Sequence, residues 1–246
     1  MSLLRQVCSG LCLALLVSAT APLYTPTHAQ ADKWAKEMAA FEEQDRNGTA
    51  VGGVVFVGSS SIRLWDLAKY FPGVPALNRG FGGSVIPDSV AHADLLVIRH
   101  KPRIVIFYAG DNDIAAGRTP QHVLDDYKAF VGKVHAALPA TRIAFIAVKP
   151  SIQRWALVDK VRAANALVRE YAAADDRLGF VDVDAPMLGW DEKPRKDLFV
   201  SDGLHMTPKG YELWTALVRP FVDLTQVQWD LSKVRVNPRT ASLPRR

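Results

Sequence analysis

Five short apolar runs punctuate the chain, and longer stretches with helical spacing separate them. The runs are GVVFVG (53–58), PALN (75–78), RIVIFYAG (103–110), RIAFIAV (142–148) and GFVDV (179–183). Several are almost unbroken apolar sequence rather than alternating, the pattern of strands covered on both faces. Between them the spacing predicts helices over residues 61–70, 87–99, 120–137, 153–174 and 208–223, with an amphipathic helix over 32–45 ahead of the first strand. Thr119 followed by Pro120 reads as a cap and first turn, and "TP" recurs at Thr207 and Pro208. In 153–174, Trp155, Val158, Val161, Ala164, Val168 and Tyr171 recur at helical spacing. Strands alternating with helices imply right-handed crossovers, and so a five-stranded, mainly parallel sheet in a three-layer α/β/α sandwich.

The first residues stand outside this alternation. Arg5 precedes an apolar stretch from about Val7 to Ala19, and small and polar residues follow, the layout of a secretory signal peptide. Thr27-His28-Ala29 places small residues where a signal peptidase reads and predicts cleavage before Gln30. Ala19–Ala21 is a second candidate site, hindered by Pro22, and an uncleaved anchor is the competing reading. The expected organisation is a signal peptide over 1–29, one domain over 30–225 and a basic tail over 226–246, in an exported protein, periplasmic or secreted. Beyond the leader, no apolar run reaches the roughly 18–20 residues of a membrane helix.

Export changes the reading of the cysteines and the charge. Cys8 and Cys12 both lie in the leader, so the mature chain has no disulfide, no thiol nucleophile and no cysteine-ligated zinc. Neither cysteine follows the Leu-small-small pattern of a lipidated one. The formal charge of +5 becomes about +4 once Arg5 is removed. Arg235, Arg239, Arg245 and Arg246 concentrate positive charge in the tail, which suits either a solvated segment or contact with an anionic envelope surface. No aromatic–basic recognition motif is present, and no nucleic-acid partner is expected.

Open parallel sheets bind ligands beyond the C-terminal ends of their strands. The five segments there are GSSS (58–61), NRGFGGS (78–84), AGDND (109–113), KPSIQRW (149–155) and, after a longer connection, SDGLHMTPKGY (201–211). Polar and glycine residues thus gather at one edge of the sheet. A serine at a strand–helix turn becomes a nucleophile when a base takes its proton. Ser59, Ser60 and Ser61 are the candidates; the alternative is that they simply cap the next helix. His205 is the candidate base. Asp202, three residues earlier with Gly203 allowing a turn between, is placed to fix the tautomer of the ring and stabilise its protonated form. His92, His100, His122 and His135 lie on or beside predicted helices and read as packing or solvated residues. Gly83 offers an unobstructed backbone N–H and Asn112 a neutral side-chain donor, both suited to a developing oxyanion. Lys149, Arg154, Trp155 and Trp190 are candidates to line an acyl or alcohol pocket.

Four of these segments, in this order, resemble the SGNH hydrolases, also called GDSL-type esterases and lipases. VGSSSIRLW is similar to their first block, with Ser59 where the family has Asp and Ser60 where it has the nucleophile. NRGFGGS is similar to the second, with Gly83 in the oxyanion role. GDND (110–113) is similar to the third, with Asn112 as donor, and SDGLH to the last, with Asp202 and His205. The resemblance spans roughly Val54 to Val222. It implies a flavodoxin-like fold and a serine esterase with Ser60, His205 and Asp202 as catalytic residues. The oxyanion hole would comprise Ser60, Gly83 and Asn112, with neither metal nor organic cofactor. The expected substrates are short-chain acyl or acetyl esters, including acylated glycans, because no long lid-like apolar segment is present. An acyltransferase or thioesterase on the same site, and a non-catalytic envelope-binding protein, are the alternatives. No Gly-x-Ser-x-Gly elbow surrounds the serines, which disfavours an α/β-hydrolase.

Overall fold

The apolar runs become strands because helices cover both of their faces. The computed structural model describes residues 33–49, 51–223 and 225; the leader over 1–29 and the basic tail over 226–246 lie outside the described residues. The chain groups into two units, Met1–Ala35 and Lys36–Arg246, and only residues 33–35 of the first are described.

In chain order the elements are α1 (Ala35–Arg46), β1 (Val54–Gly58), α2 (Ser60–Arg63), α3 (Leu67–Tyr70), β2 (Ala76–Gly80), α4 (Ile86–Ala91), α5 (Ala93–Leu96), β3 (Ile104–Tyr108), α6 (Asp111–Ala115), α7 (Pro120–Ala137), β4 (Arg142–Ile146), α8 (Val158–Ala173), β5 (Leu178–Val181) and α9 (Pro208–Val218). The strands form one sheet in the order β2-β1-β3-β4-β5. Every pair is parallel; Phe56, for example, lies opposite Asn78 on one side and Ile106 on the other. This is the flavodoxin-like α/β/α arrangement that the sequence predicts.

Alternation along the strands sends side chains to two cores. Val54, Phe56, Ile104, Ile106, Tyr108 and Ile146 join Ile62, Trp65, Phe71, Trp214 and Leu217 on one face. Trp65 and Trp214 meet there edge to face at 5.7 Å. On the other face Phe107 packs 4.5 Å from Phe130, and Tyr127 packs 4.9 Å from Phe145. α7 starts where its cap predicts, with the Thr119 hydroxyl accepting from the His122 N–H at 3.2 Å.

Three expectations change. The helix expected over 61–70 breaks into α2 and α3, because the Asp66 side chain accepts the Lys69 N–H at 3.1 Å and caps a new start. The helix expected over 87–99 divides at His92. β2 runs two residues further than its apolar run, through Arg79 and Gly80. Arg79 is fully buried and ion-paired with Asp45 of α1, its guanidinium 4.9 Å above the Phe41 ring. A charged residue inside a strand has no apolar signature.

β1 is the point where the strand order reverses. β2 lies to one side of it and β3 to the other, so the connections after β1 and β3 leave in opposite directions and open a crevice between them.

Candidate active site

The turn after β1 is fixed by Gly58. Its φ of +137° is open to glycine, and a Cβ there would lie 1.9 Å from the Tyr108 carbonyl oxygen on β3. This close approach lets the Ser59 N–H donate to that carbonyl at 3.0 Å and carries the chain straight into α2. Ser59 is buried at the N-cap position, but its side chain makes no capping hydrogen bond. Ser60, half-buried, opens the helix. Ser61 is buried; its hydroxyl accepts from Lys149 Nζ at 3.2 Å and its carbonyl from the Tyr211 hydroxyl at 3.1 Å.

The three serines therefore have three surroundings, and Ser60 meets the histidine. Ser60 Oγ lies 3.1 Å from His205 Nε2. His205 Nδ1 lies 2.6 Å from Asp202 Oδ2, while Asp202 Oδ1 accepts from the backbone N–H groups of Leu204 (2.8 Å) and His205 (2.9 Å). The His205 ring and these two N–H groups hold the Asp202 carboxyl at about 2, well below the usual carboxylate range. The segment is a tight turn closed by the Val200 N–H on the His205 carbonyl at 2.9 Å. It is moored to the segment after β4 through the Gln153 N–H, which donates to the Gly203 carbonyl at 3.0 Å.

Asn112 lies in the first turn of α6. Its Nδ2 donates to the Ser84 carbonyl at 2.9 Å, and its Oδ1 accepts from Arg154 Nη2 at 3.0 Å. A guanidinium only donates and a carbonyl only accepts, so these contacts fix which way round the amide sits. Gly83, exposed, immediately precedes Ser84. Asp113 adds a second tie to the same loop, its carboxylate accepting from the Ile86 N–H at 3.1 Å.

Beneath this layer is a group of buried polar residues that the motifs do not mark. Lys149 Nζ donates to Tyr108 Oη at 3.0 Å and Asp111 Oδ2 at 2.9 Å besides Ser61. Arg154 Nη1 ion-pairs with Asp111 Oδ1. Burial works against the ammonium of Lys149, but Asp111 and Tyr108 outweigh it and hold the group charged above the ordinary lysine range. Burial likewise opposes the Asp111 carboxylate, and Lys149 and Arg154 outweigh it. Burial, then Asp111, pushes Tyr108 up to about 12. Lys149 thus lies under the site rather than lining a pocket, with its side chain 1% exposed. The trace of this in the sequence is a charge set immediately after an unbroken apolar run, where little but another buried charge can receive it.

The other candidates separate. Trp155 is half-buried, with Lys193 Nζ 4.9 Å above its ring. Trp190 is 98% exposed on a turn closed by the Gly189 N–H on the Lys193 carbonyl at 2.8 Å. His100 and His135 place a ring nitrogen on the backbone carbonyls of Leu95 and Thr141. Among the described residues no cluster of three or more His, Cys, Asp or Glu is placed to hold a metal ion, and no helix is long and apolar enough to cross a membrane.

A parallel sheet of this order, with these loops at its C-terminal edge, places the chain in the class of SGNH-type hydrolase folds. Residues 60–213, more than half of the chain, match the GDSL-like lipase/acylhydrolase family, and the chain belongs to that family. It is a carboxylic ester hydrolase. Among solved structures it is similar to a protein from Streptococcus pneumonia provisionally described as a platelet activating factor, at 19% identity and TM-score 0.71, covering 79% of this chain and 94% of that one. It is also similar to a GDSL-like lipase from Bacteroides thetaiotaomicron, at 22% identity and TM-score 0.64, covering 79% and 98%. A family 3 carbohydrate esterase from Clostridium thermocellum shares the fold at 16% identity and TM-score 0.55, covering 69% and 94%. No curated protein sequence matches the chain.

Proposed function

We propose that the chain is a serine esterase that cleaves short-chain acyl esters, acetyl esters foremost, through an acyl-enzyme. The observation that carries this reading is His205, whose two ring nitrogens lie 3.1 Å from Ser60 Oγ and 2.6 Å from Asp202 Oδ2. His205 Nε2 takes the Ser60 proton as Oγ bonds to the ester carbonyl carbon. The tetrahedral oxyanion accepts from the N–H groups of Ser60 and Gly83 and from the Asn112 amide, each donor contributing about 3 kcal/mol to the transition state. As the C–O bond to the alcohol breaks, His205 returns the proton to the leaving oxygen. Water then attacks the acyl-enzyme, giving its proton to His205, and Ser60 is released with the carboxylic acid. Asp202 holds Nδ1 protonated and stabilises the imidazolium that forms in each half-reaction.

The preference for small acyl groups rests on the absence of a long apolar lid-like segment in the sequence. Acylated glycans outside the cytoplasm fit the predicted leader, and a fold neighbour is described as a family 3 carbohydrate esterase. The test is Ser60→Ala assayed on p-nitrophenyl acetate: kcat/KM falls by about 10³-fold or more while the circular dichroism spectrum is unchanged. Undiminished turnover by that variant would end the proposal. A chain-length series of p-nitrophenyl esters and acetate release from acetylated polysaccharide define the substrate, with activity rising toward the acetyl ester.

A further inference from the structure

Arg154 belongs to none of the four family blocks, yet its guanidinium spans two acceptors that are neighbours in sequence. Nη1 pairs with the buried Asp111 carboxylate and Nη2 donates to Asn112 Oδ1 at 3.0 Å. The side chain is 19% exposed, so one side of the fork faces the buried group and the other the crevice layer. Asp111 itself is anchored from below by Lys149 Nζ at 2.9 Å.

We propose that Arg154 is a positioning residue for the oxyanion hole: clamped on Asp111, it locks the Asn112 amide with an N–H turned to the substrate oxygen. This deepens the esterase reading and rests on Asn112 being an oxyanion donor.

Two features carry it. First, an isolated asparagine amide has two nearly equivalent orientations, and only one gives a donor to an oxyanion. The Ser84 carbonyl takes one N–H and the Arg154 guanidinium takes the oxygen, which leaves the second N–H as the free donor. Second, Asp111 fixes the guanidinium through its other nitrogen, so the planar fork has no rotational freedom to release the amide. A lysine ammonium can donate to several acceptors, as Lys149 does, but it lacks the planar two-nitrogen fork that holds the amide in one orientation.

The experiment compares wild type with Arg154→Met, Arg154→Lys, Asn112→Ala and the Asn112→Ala/Arg154→Met double variant on p-nitrophenyl acetate. kcat is expressed per folded molecule, the folded fraction coming from near-ultraviolet circular dichroism. Arg154→Met lowers kcat by about 10- to 100-fold and leaves KM within about twofold. Arg154→Lys stays within about threefold of Arg154→Met, and the double variant stays within about twofold of Asn112→Ala, because the arginine acts through the amide. Should Arg154→Met fail to fold, Arg154→Gln replaces it in the same cycle. Wild-type kcat in the arginine variant, recovery with lysine, or losses that multiply in the double variant would overturn the positioning role. If Asn112→Ala itself keeps full activity, the oxyanion assignment falls, and with it the inference; impaired Asn112→Ala beside unimpaired Arg154→Met removes the inference alone.

Discussion

Lys149 Nζ donates to the Ser61 hydroxyl at 3.2 Å, inside the buried polar group and away from His205. Two adjacent serines therefore stand in opposite circumstances, one held by a buried cation and one within reach of an imidazole. The serine run is resolved by its partners, which lie 88 and 145 residues away.

Ser61→Ala removes one hydrogen bond from a charged donor. It is expected to cost about 1–2 kcal/mol of stability and to leave kcat on p-nitrophenyl acetate within about threefold of wild type. Urea denaturation and steady-state kinetics on the same preparation check both numbers. A dead but folded Ser61→Ala protein would transfer the nucleophile role by one residue.

Gly58→Ala forces a methyl group to within 1.9 Å of the Tyr108 carbonyl at a φ of +137°. The backbone of β1 or β3 must move, which breaks the Ser59–Tyr108 hydrogen bond that aims the turn. A loss of about 3 kcal/mol or more is expected, read as a lowered denaturation midpoint and poor soluble yield. An unaltered midpoint would show that the turn is not built on this contact.

Asp113 supplies a pH signature. Burial raises its carboxyl to about 6 from 3.8, against the opposing pull of the Ile86 N–H and Arg118. The folded state thus holds the proton more tightly than the unfolded chain, so this contribution to stability is complete below pH 3.8 and is lost as pH rises through 6. Relative to Asp113→Asn, the wild-type protein is expected to lose on the order of 2–3 kcal/mol between pH 4 and pH 7. Denaturation of both proteins across that range measures it, and parallel pH profiles would contradict it.

Much of this architecture is readable from residue pattern alone, for a definite reason. β1, β3 and β4 are doubly covered, so burial on both faces writes itself into Val55, Ile106 and Phe145 as unbroken apolar sequence. Thr119-Pro120 and Thr207-Pro208 mark helix starts because capping is a local interaction. What the pattern hides is whatever depends on a distant partner. Arg79 stands in β2 as a buried charge because Asp45 reaches it from α1. Lys149 and Arg154 read as pocket-lining candidates until Asp111 is brought between them. Asp202 and His205 are legible as a pair at three-residue spacing; the place of Ser60 beside them depends on the whole sheet.

That difference in range has a consequence for how the site tolerates change. Asp202 and His205 share one short turn, closed on itself by the Val200–His205 hydrogen bond. They form a prefabricated part, aligned by hydrogen bonds within the turn itself. The gap to Ser60 is the only adjustable joint among the three, set by how the Gln153–Gly203 mooring seats the part against β1. Within the set Ser60, His205 and Asp202, any change in the surrounding loops therefore bears first on one distance, that between Ser60 Oγ and His205 Nε2.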